Sequence, residues 1–339
     1  MAIPNQVREQ AAEQPPEILA EVAPLPADAG VGRAPTGYML RTLVQGMRPH
    51  QWVKNGFLFA PLVFSRNLFH LEAFLTAVAA FFLFSAAASA VYLGNDVLDV
   101  EADRKHPVKR FRPIASGALP IPLAAGMAAF LAGGSVAVAT AIDLAFAAVI
   151  LGYLVMNTAY SVSLKRIAYV DVGVIATGFV LRVLAGALAI AVPTSNWLFV
   201  CTFALALFLG LGKRKHELLV AVESGHDGTK ARKSLKGYQL RHVNVALLLA
   251  GVLAAASYVL YTVAPETHEK FDTYLLALTL PFPAFGIWRF NQLVSHSARA
   301  SSPTEALITD PPFVANMVIW GVAVVAILYS ALSGMPTPV

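Results

Sequence analysis

An all-α protein that crosses a membrane nine times is the fold class this 339-residue sequence predicts. Three observations carry that expectation. Hydrophobic residues make up 57% of the chain and charged residues only 13%, about half the charge of an average globular chain. Apolar stretches long enough to cross roughly 30 Å of hydrocarbon recur from about residue 50 onward, with polar breaks between them. The basic residues fall on alternate breaks in a ratio of 21 to 2. Such a composition excludes a soluble protein. The single cysteine, Cys201, sits in an apolar run and excludes a disulfide scaffold, a zinc–thiolate centre and an iron–sulfur cluster. Nothing in the chain points to nucleic acid as a partner.

Residues 1–37 hold six prolines, eight alanines and five acidic residues without apolar periodicity, which predicts a disordered tail. No apolar run follows a basic start, so the tail does not read as a signal peptide. Residues 38–339 form the polytopic membrane domain. Its nine expected spans are about 50–66, 72–93, 122–142, 144–163, 169–191, 196–213, 241–263, 273–292 and 313–333. Gly178, Gly186, Gly210 and Gly212 within them suit close approach of neighbouring helices, and a Gly-rich face permits homo-oligomers.

Lys and Arg are retained on the cytoplasmic side of a membrane. One side here carries Arg33 to Lys54, Arg104 to Arg112, Lys165, Arg166, Lys213 to Arg241, Arg289 and Arg299, and the other only Arg66 and Lys270. This division puts the N-terminus and the loops after spans two, four, six and eight in the cytoplasm, with any active site facing the same way.

Span two ends in "YLGNDVLDVEADRKHPVKRFRPIASG". A continuing helix sets Asp96, Asp99 and Asp103 on one face, with Asn95 four residues before Asp99. Three carboxylates on one stripe repel one another unless a cation sits among them, and oxygen ligands select a hard ion such as Mg²⁺, with Mn²⁺ as a substitute. Mg²⁺ usually brings phosphate oxygens as co-ligands. Arg104, Lys105, His106, Lys109, Arg110 and Arg112 follow at once. Carboxylates, metal and basic loop together describe a diphosphate site, against the plainer reading of a solvated helix end.

Span six ends in "FLGLGKRKHELLVAVESG", where Lys213 and Glu217 are four apart with Arg214 beside them. That edge either binds a phosphate, Arg214 as a fork and Lys213 as a point charge, or is a snorkelling basic cap. Lys230, Arg232, Lys233 and Lys236 read as lipid-surface contacts. Asp171 and Arg182 share one face of span five, and Arg182 is about halfway along it. A charge at that depth costs roughly 2.5–3.5 kcal/mol, so it should face the bundle interior and meet a carboxylate of another helix or an anionic substrate. Asn157, Tyr160 and Ser161 make a polar strip leading to Lys165, either a substrate strip or a hydrogen-bond network between helices. Glu305 and Asp310 either close the site or start a helix.

These features resemble the UbiA-type intramembrane prenyltransferase superfamily across nearly the whole chain after residue 40. "RPHQWVKN" at 48–55, "NDVLDVEADRKHPVKRFRPIASG" at 95–117 and "LGKRKHEL" at 211–218 are most similar to its decaprenyl-phosphate phosphoribosyltransferase branch. Aromatic prenyltransferases carry a second Asp-rich motif where this chain has Lys213, Arg214 and Glu217. The resemblance implies transfer of 5-phosphoribose from phosphoribosyl diphosphate (PRPP) to a long polyprenyl phosphate such as decaprenyl phosphate. The product would feed the lipid-linked arabinose donor of cell-wall arabinan, at the plasma membrane. It further implies that Asn95, Asp96, Asp99 and Asp103 hold Mg²⁺ on the diphosphate. Asp96, Asp99, Lys213, Arg214 and Glu217 would be the catalytic residues, with Lys213, Arg214 and Arg182 cradling the acceptor phosphate and Asp171 a substrate contact. Lys54, Asn55, Arg104, Arg112, Tyr160 and Lys165 are the remaining substrate contacts. The alternative within the superfamily is prenyl transfer to an aromatic or other acceptor. A transporter would place its charges at the membrane midplane instead.

Overall fold

The computed structural model describes residues 36–193, 195–223, 235, 237–296 and 309–330. The expected tail, except for its last two residues, lies outside the described residues, as do Lys230, Arg232, Lys233, Lys236, Arg299 and Glu305. Every regular element among the described residues is helical. In chain order the α-helices are α1 (Thr36–Met47), α2 (Ala60–Phe64), α3 (Leu71–Leu98), α4 (Val100–Arg104), α5 (Ile121–Ala139), α6 (Leu144–Val162), α7 (Val170–Ala189), α8 (Asn196–Glu223), α9 (Leu240–Val263), α10 (Pro265–Phe271), α11 (Pro281–His296) and α12 (Pro311–Ser330).

Seven of these, α3, α5, α6, α7, α8, α9 and α12, are long and apolar enough to cross a membrane. They coincide with seven of the nine expected spans, and the chain is a multi-pass membrane protein. Large apolar side chains such as Phe130, Leu248 and Val322 stay exposed on them, as helix faces turned to lipid require. The other two expected spans are not single α-helices. Residues 50–66 begin as a 3-10 segment, Pro49–Phe59, and become α-helical only at α2. Residues 273–292 begin as a 3-10 turn, Leu275–Thr279, and restart at α11. Proline accounts for both: it donates no amide and disfavours helical geometry in the residue before it. Pro49 and Pro61 sit at the starts of the first pair, and Pro281 and Pro283 at the start of α11.

The chain forms two compact units, one taking in residues up to Gly56 and Ala79–Ser161, the other Phe57–Val78 and Val162 onward. In the first unit, Leu93, Ile114, Leu119 and Ala124 make a buried core that Leu43, Met47 and Val97 extend. Gly46 lets α1 press on α3 here, since a Cβ at that position would meet Leu93 Cδ2 at 2.9 Å. The 3-10 segment after α1 is pinned along α3 by Trp52 Nε1 donating to Ser89 Oγ (3.0 Å) and Asn55 Nδ2 donating to Ser85 Oγ (2.9 Å).

In the second unit, α7, α8 and α9 pack around Val172, Phe208, Leu211, Val243, Leu247 and Phe290. Gly186 brings α7 onto the backbone of residue 58, where an added Cβ would lie 2.0 Å from the Leu58 carbonyl oxygen. Gly210 and Gly212 make room for Val172 and Phe290 in the same way. Three of the four glycines expected to admit close neighbours therefore do so. A second core, Tyr261, Phe271, Leu276, Val324 and Leu328, closes the other end of this unit.

Candidate functional site

In the first unit the α3 helix continues nearly unbroken into α4. Asp99 leaves regular α geometry at φ −95° and ψ 6°, yet its amide still bonds Asn95 O (2.9 Å) and its carbonyl accepts from the Asp103 amide (2.8 Å). The acidic stripe thus forms as the spacing requires, and Asp96 and Asp103 are buried while Asn95 and Asp99 are half-buried.

Cations from two directions close on this stripe. Arg48 Nη2 donates to Asp96 Oδ1 (2.7 Å) and Oδ2 (2.5 Å). Arg112 Nη1 bridges the two buried acids, at 3.0 Å from Asp96 Oδ1 and 2.7 Å from Asp103 Oδ2. Lys109 Nζ lies 3.7 Å from Asp103 Oδ1. A carboxylate only 3% exposed is tolerable when paired and hydrogen-bonded in this way. Cations therefore do sit among these acids, and the protein's own side chains supply them here. Among the described residues no three His, Cys, Asp or Glu side chains converge as a ready-made metal cage.

The local chain explains the placement. Arg48 adopts a left-handed backbone (φ 55°) directly after α1, and its guanidinium covers the Tyr92 ring at 5.3 Å. His106 Nδ1 accepts the amides of Val108 (3.2 Å) and Lys109 (3.3 Å), which folds the loop that carries Lys109 and Arg112. Burial, then the nearby Lys109 charge, pushes the His106 imidazole below its ordinary pKa. Arg104 stays at the surface, donating to Glu101 Oε1 (2.9 Å) and, through Nε, to Ala115 O (3.4 Å). Lys54 donates to Gln51 Oε1 (2.5 Å). Asn55 is 1% exposed and gives its amide to Ser85, so it fastens the 3-10 segment to α3 and is not displayed to a ligand. Tyr160 is half-buried on α6, and Asn157 donates back to Tyr153 O (2.8 Å).

The second unit holds a different constellation. Asp171, in the first turn of α7, is fully buried. Tyr238 Oη donates to its Oδ1 (2.5 Å), as does the Val172 amide (2.8 Å). Arg214 Nε stands 3.4 Å from its Oδ2. Arg214 is 1% exposed, a large and fully buried side chain, and its Nη1 also pairs with Glu217 one turn along α8. Burial and the bond to Asp171 push the Tyr238 phenol well above its ordinary pKa, so it stays a donor. Tyr238 Oη in turn accepts the Tyr169 amide (2.8 Å), which settles the left-handed backbone of Tyr169 (φ 65°) that opens α7. Lys213 is exposed and Lys165 half-buried at the same end of this unit.

Arg182 Nη1 donates to Gly178 O on its own helix (2.8 Å), its guanidinium lies 5.3 Å from the Phe179 ring, and it is 5% exposed. Arg48 and Tyr238 were not singled out from spacing. Arg48 stands in the "RPHQWVKN" stretch, which was the signal for it, whereas Tyr238 follows a polar stretch and carries none.

The comparisons agree with this architecture. Residues 56–222 match the model of the UbiA prenyltransferase family. The decaprenyl-phosphate phosphoribosyltransferase of Corynebacterium glutamicum is 32% identical over 303 residues, covering 88% of this chain and 90% of that one. The protein of the same name from Mycobacterium tuberculosis is 38% identical over 252 residues, covering 73% and 82%. Among solved structures, a UbiA homolog from Archaeoglobus fulgidus bound to DMAPP and Mg²⁺ superposes with a TM-score of 0.62 at 17% identity, over 87% of this chain and 100% of that one, a likeness of fold. With that fold, and with relatives matched over most of both chains, the chain belongs to the UbiA prenyltransferase family of transferases.

Proposed function

We propose that this protein transfers 5-phosphoribose from PRPP to a polyprenyl phosphate such as decaprenyl phosphate, releasing diphosphate. The observation that carries the reading is the shared name of relatives 32% and 38% identical over 90% and 82% of their length. We further propose nine crossings, with the two proline-broken segments completing the seven long helices. The N-terminus and active site face the cytoplasm of a plasma membrane, and the product supplies lipid-linked arabinose for cell-wall arabinan.

The residues suit the chemistry. A phosphate oxygen of the acceptor attacks the anomeric carbon, the bond from that carbon to the diphosphate oxygen breaks, and the electron pair leaves with diphosphate. The acceptor phosphate is already anionic at neutral pH, its second pKa being about 6, so no general base is needed. In-line displacement inverts the anomeric centre. Charge accumulates on the leaving diphosphate, and fixed cations aimed at it are a large catalytic term. Arg48, Arg112 and Lys109 supply such cations, already oriented by Asp96 and Asp103.

The oxygen donors Asn95, Asp96, Asp99 and Asp103 fit a hard divalent ion that arrives with the diphosphate, because Mg²⁺ needs only one or two protein carboxylates and takes phosphate oxygens for the rest. When bound, the ion adds Lewis-acid stabilisation of the leaving group. Arg112 is the side chain that gives way, being 22% exposed and shared between two acids.

Lys213 presents its charge to the acceptor phosphate. Arg214 is oriented by Asp171 and Glu217, and Asp171 acts through it as a positioning residue and not as a substrate contact. Arg182, Lys165, Tyr160, Arg104 and Lys54 remain proposed contacts of the phosphates and the ribose.

Incubating the purified protein with ribosyl-labelled PRPP and decaprenyl phosphate should move label into the organic phase. No transfer of label, with turnover of a prenyl diphosphate and an aromatic acceptor instead, would show that the chain performs the other chemistry of its family.

A further inference from the structure

The second unit carries a concavity at the end of its helices remote from Asp171 and Arg214. Helix α7 has Asp171 at its start, and its far end near Ala189 leads to this place, where α8 begins at Asn196 and α9 ends at Val263. The cavity measures about 520 Å³, and Phe64, Trp197, Tyr261, Phe271, Asn196 and Lys270 are among its walls. That volume lies within the range of small-molecule and headgroup sites.

Arg66 and Lys270 were the only two cations the sequence assigned to this side; Lys270 is part of the cavity wall, and both stand against the ring of Phe271, another wall residue. Arg66 holds its guanidinium 5.2 Å from the Phe271 ring and Lys270 its ammonium 5.5 Å from the same ring. Arg66 Nη2 donates to Phe271 O (2.9 Å), while its Nε is buried with no hydrogen-bond partner among the described residues. Neither cation forms an ion pair with a carboxylate among the described residues. Partial burial, then the Arg66 charge, pulls the Lys270 ammonium below its ordinary pKa. Two like charges at one ring, one with a buried unused donor, are unfavourable until an anion joins them.

The backbone points to the same place. Among the described residues five non-glycine residues have left-handed φ, and three of them lie within two positions along the chain of a wall residue: Arg66 (63°) after Ser65, Ala191 (52°) before Pro193 and Asp272 (51°) after Phe271. The other two, Arg48 and Tyr169, belong to the two constellations described above. Such strained positions persist where the surroundings enforce them and cluster at ligand clamps.

We propose that this cavity binds the headgroup of a membrane glycerophospholipid, with the phosphodiester between Arg66 and Lys270 and the glycerol and first methylenes against Phe64, Trp197 and Tyr261. An Arg fork with a Lys point charge suits a phosphate, and aromatic walls at the ends of apolar helices suit the boundary between headgroup and acyl chain. Glu266 shares the wall and suits a hydroxyl or ammonium beyond the phosphate.

Thermal unfolding of the full-length protein in detergent tests the proposal without reference to turnover. Three probes are titrated: dihexanoyl phosphatidylglycerol, dihexanoylglycerol lacking the phosphate, and inorganic phosphate. The phospholipid is expected to raise the midpoint by a few degrees at saturation, the other two by less than half as much. Lys270→Gln and Arg66→Gln should each remove at least half of the phospholipid shift. If Arg66→Gln does not fold, Lys270→Gln alone decides, because Lys270 makes no hydrogen bond or ion pair within the described residues. An equal shift from dihexanoylglycerol, an equal shift from inorganic phosphate, or an undiminished shift in Lys270→Gln would overturn the proposal.

Discussion

Arg48 lays one guanidinium nitrogen across both carboxylate oxygens of Asp96, at 2.7 and 2.5 Å, although 48 residues separate them in the chain. Asp96 is 3% exposed and Arg48 21%. Removing one partner of a buried pair costs about 3–5 kcal/mol, and the remaining reach of Arg112 to Asp96 reduces that here. Arg48→Gln is expected to destabilise the protein by about 1–3 kcal/mol and to lower transfer activity further than stability explains. Arg48→Lys restores charge but not the fork and should recover part of the stability. Unfolding midpoints and initial rates of the two variants check this, and a wild-type midpoint for Arg48→Gln would contradict it.

Tyr238 joins three groups in the second unit by accepting the Tyr169 amide, donating to Asp171 and so holding the carboxylate beside Arg214. Tyr238→Phe strips one bond from Asp171 and leaves a donor amide at Tyr169 without its acceptor. A loss of about 1–3 kcal/mol is expected. A raised KM for the polyprenyl phosphate with little change in KM for PRPP would mark its action through Arg214, whereas equal changes in both would show a general loosening.

Gly186 and Gly126 differ in what a methyl group would meet. At Gly186 it would lie 2.0 Å from a backbone oxygen, and at Gly126 nothing lies within 4 Å. Gly186→Ala is expected to cost at least the roughly 1–3 kcal/mol of an overpacked core, because backbone has to move. Gly126→Ala should be neutral or slightly stabilising. Yields of folded protein and thermal midpoints of the pair provide the measurement.

Asp310 receives Arg289 Nε at 3.1 Å and Nη2 at 2.7 Å and caps α12 by accepting the Phe313 amide at 2.9 Å. The Arg289 hydrogen bonds hold its carboxyl below the ordinary carboxylate range. A pKa lower in the folded than in the unfolded state means that the unfolded chain binds the proton first. The stability from this clamp is therefore present above the ordinary pKa of about 3.9 and is lost as pH falls through the depressed value. Asp310→Asn should be less stable than wild type at pH 7, with the gap closing under strong acid. A gap that stays constant over a pH series of unfolding midpoints would show that the charge is not involved.

Hydropathy located the seven long helices because a membrane span is a count of apolar residues, and a count is local. It did not show the 3-10 segments that interrupt the expected spans 50–66 and 273–292, because proline changes geometry without lowering hydropathy. The acidic stripe was visible because Asp96, Asp99 and Asp103 lie on one helix. Its neutralisation was not, since Arg48 arrives through the packing of Gly46 on Leu93. The pairing of Asp171 with Arg214 and Tyr238 was invisible for the same reason, with 67 residues between Asp171 and Tyr238. Spacing within one helix locates charges, and tertiary packing decides what they meet.

The stripe at Asp96, Asp99 and Asp103 is proposed to serve a metal-bound diphosphate beside the cations that pair with Asp96 and Asp103. The direct measurement is the rate of label transfer from PRPP to decaprenyl phosphate against Mg²⁺ concentration, in wild type and in Asp99→Ala, with unfolding midpoints taken in parallel. Transfer that requires Mg²⁺ in wild type, and falls by about 10²-fold or more in a variant that remains folded, is the predicted result. Near-normal transfer in Asp99→Ala, or transfer that persists in the presence of a chelator, would contradict the account.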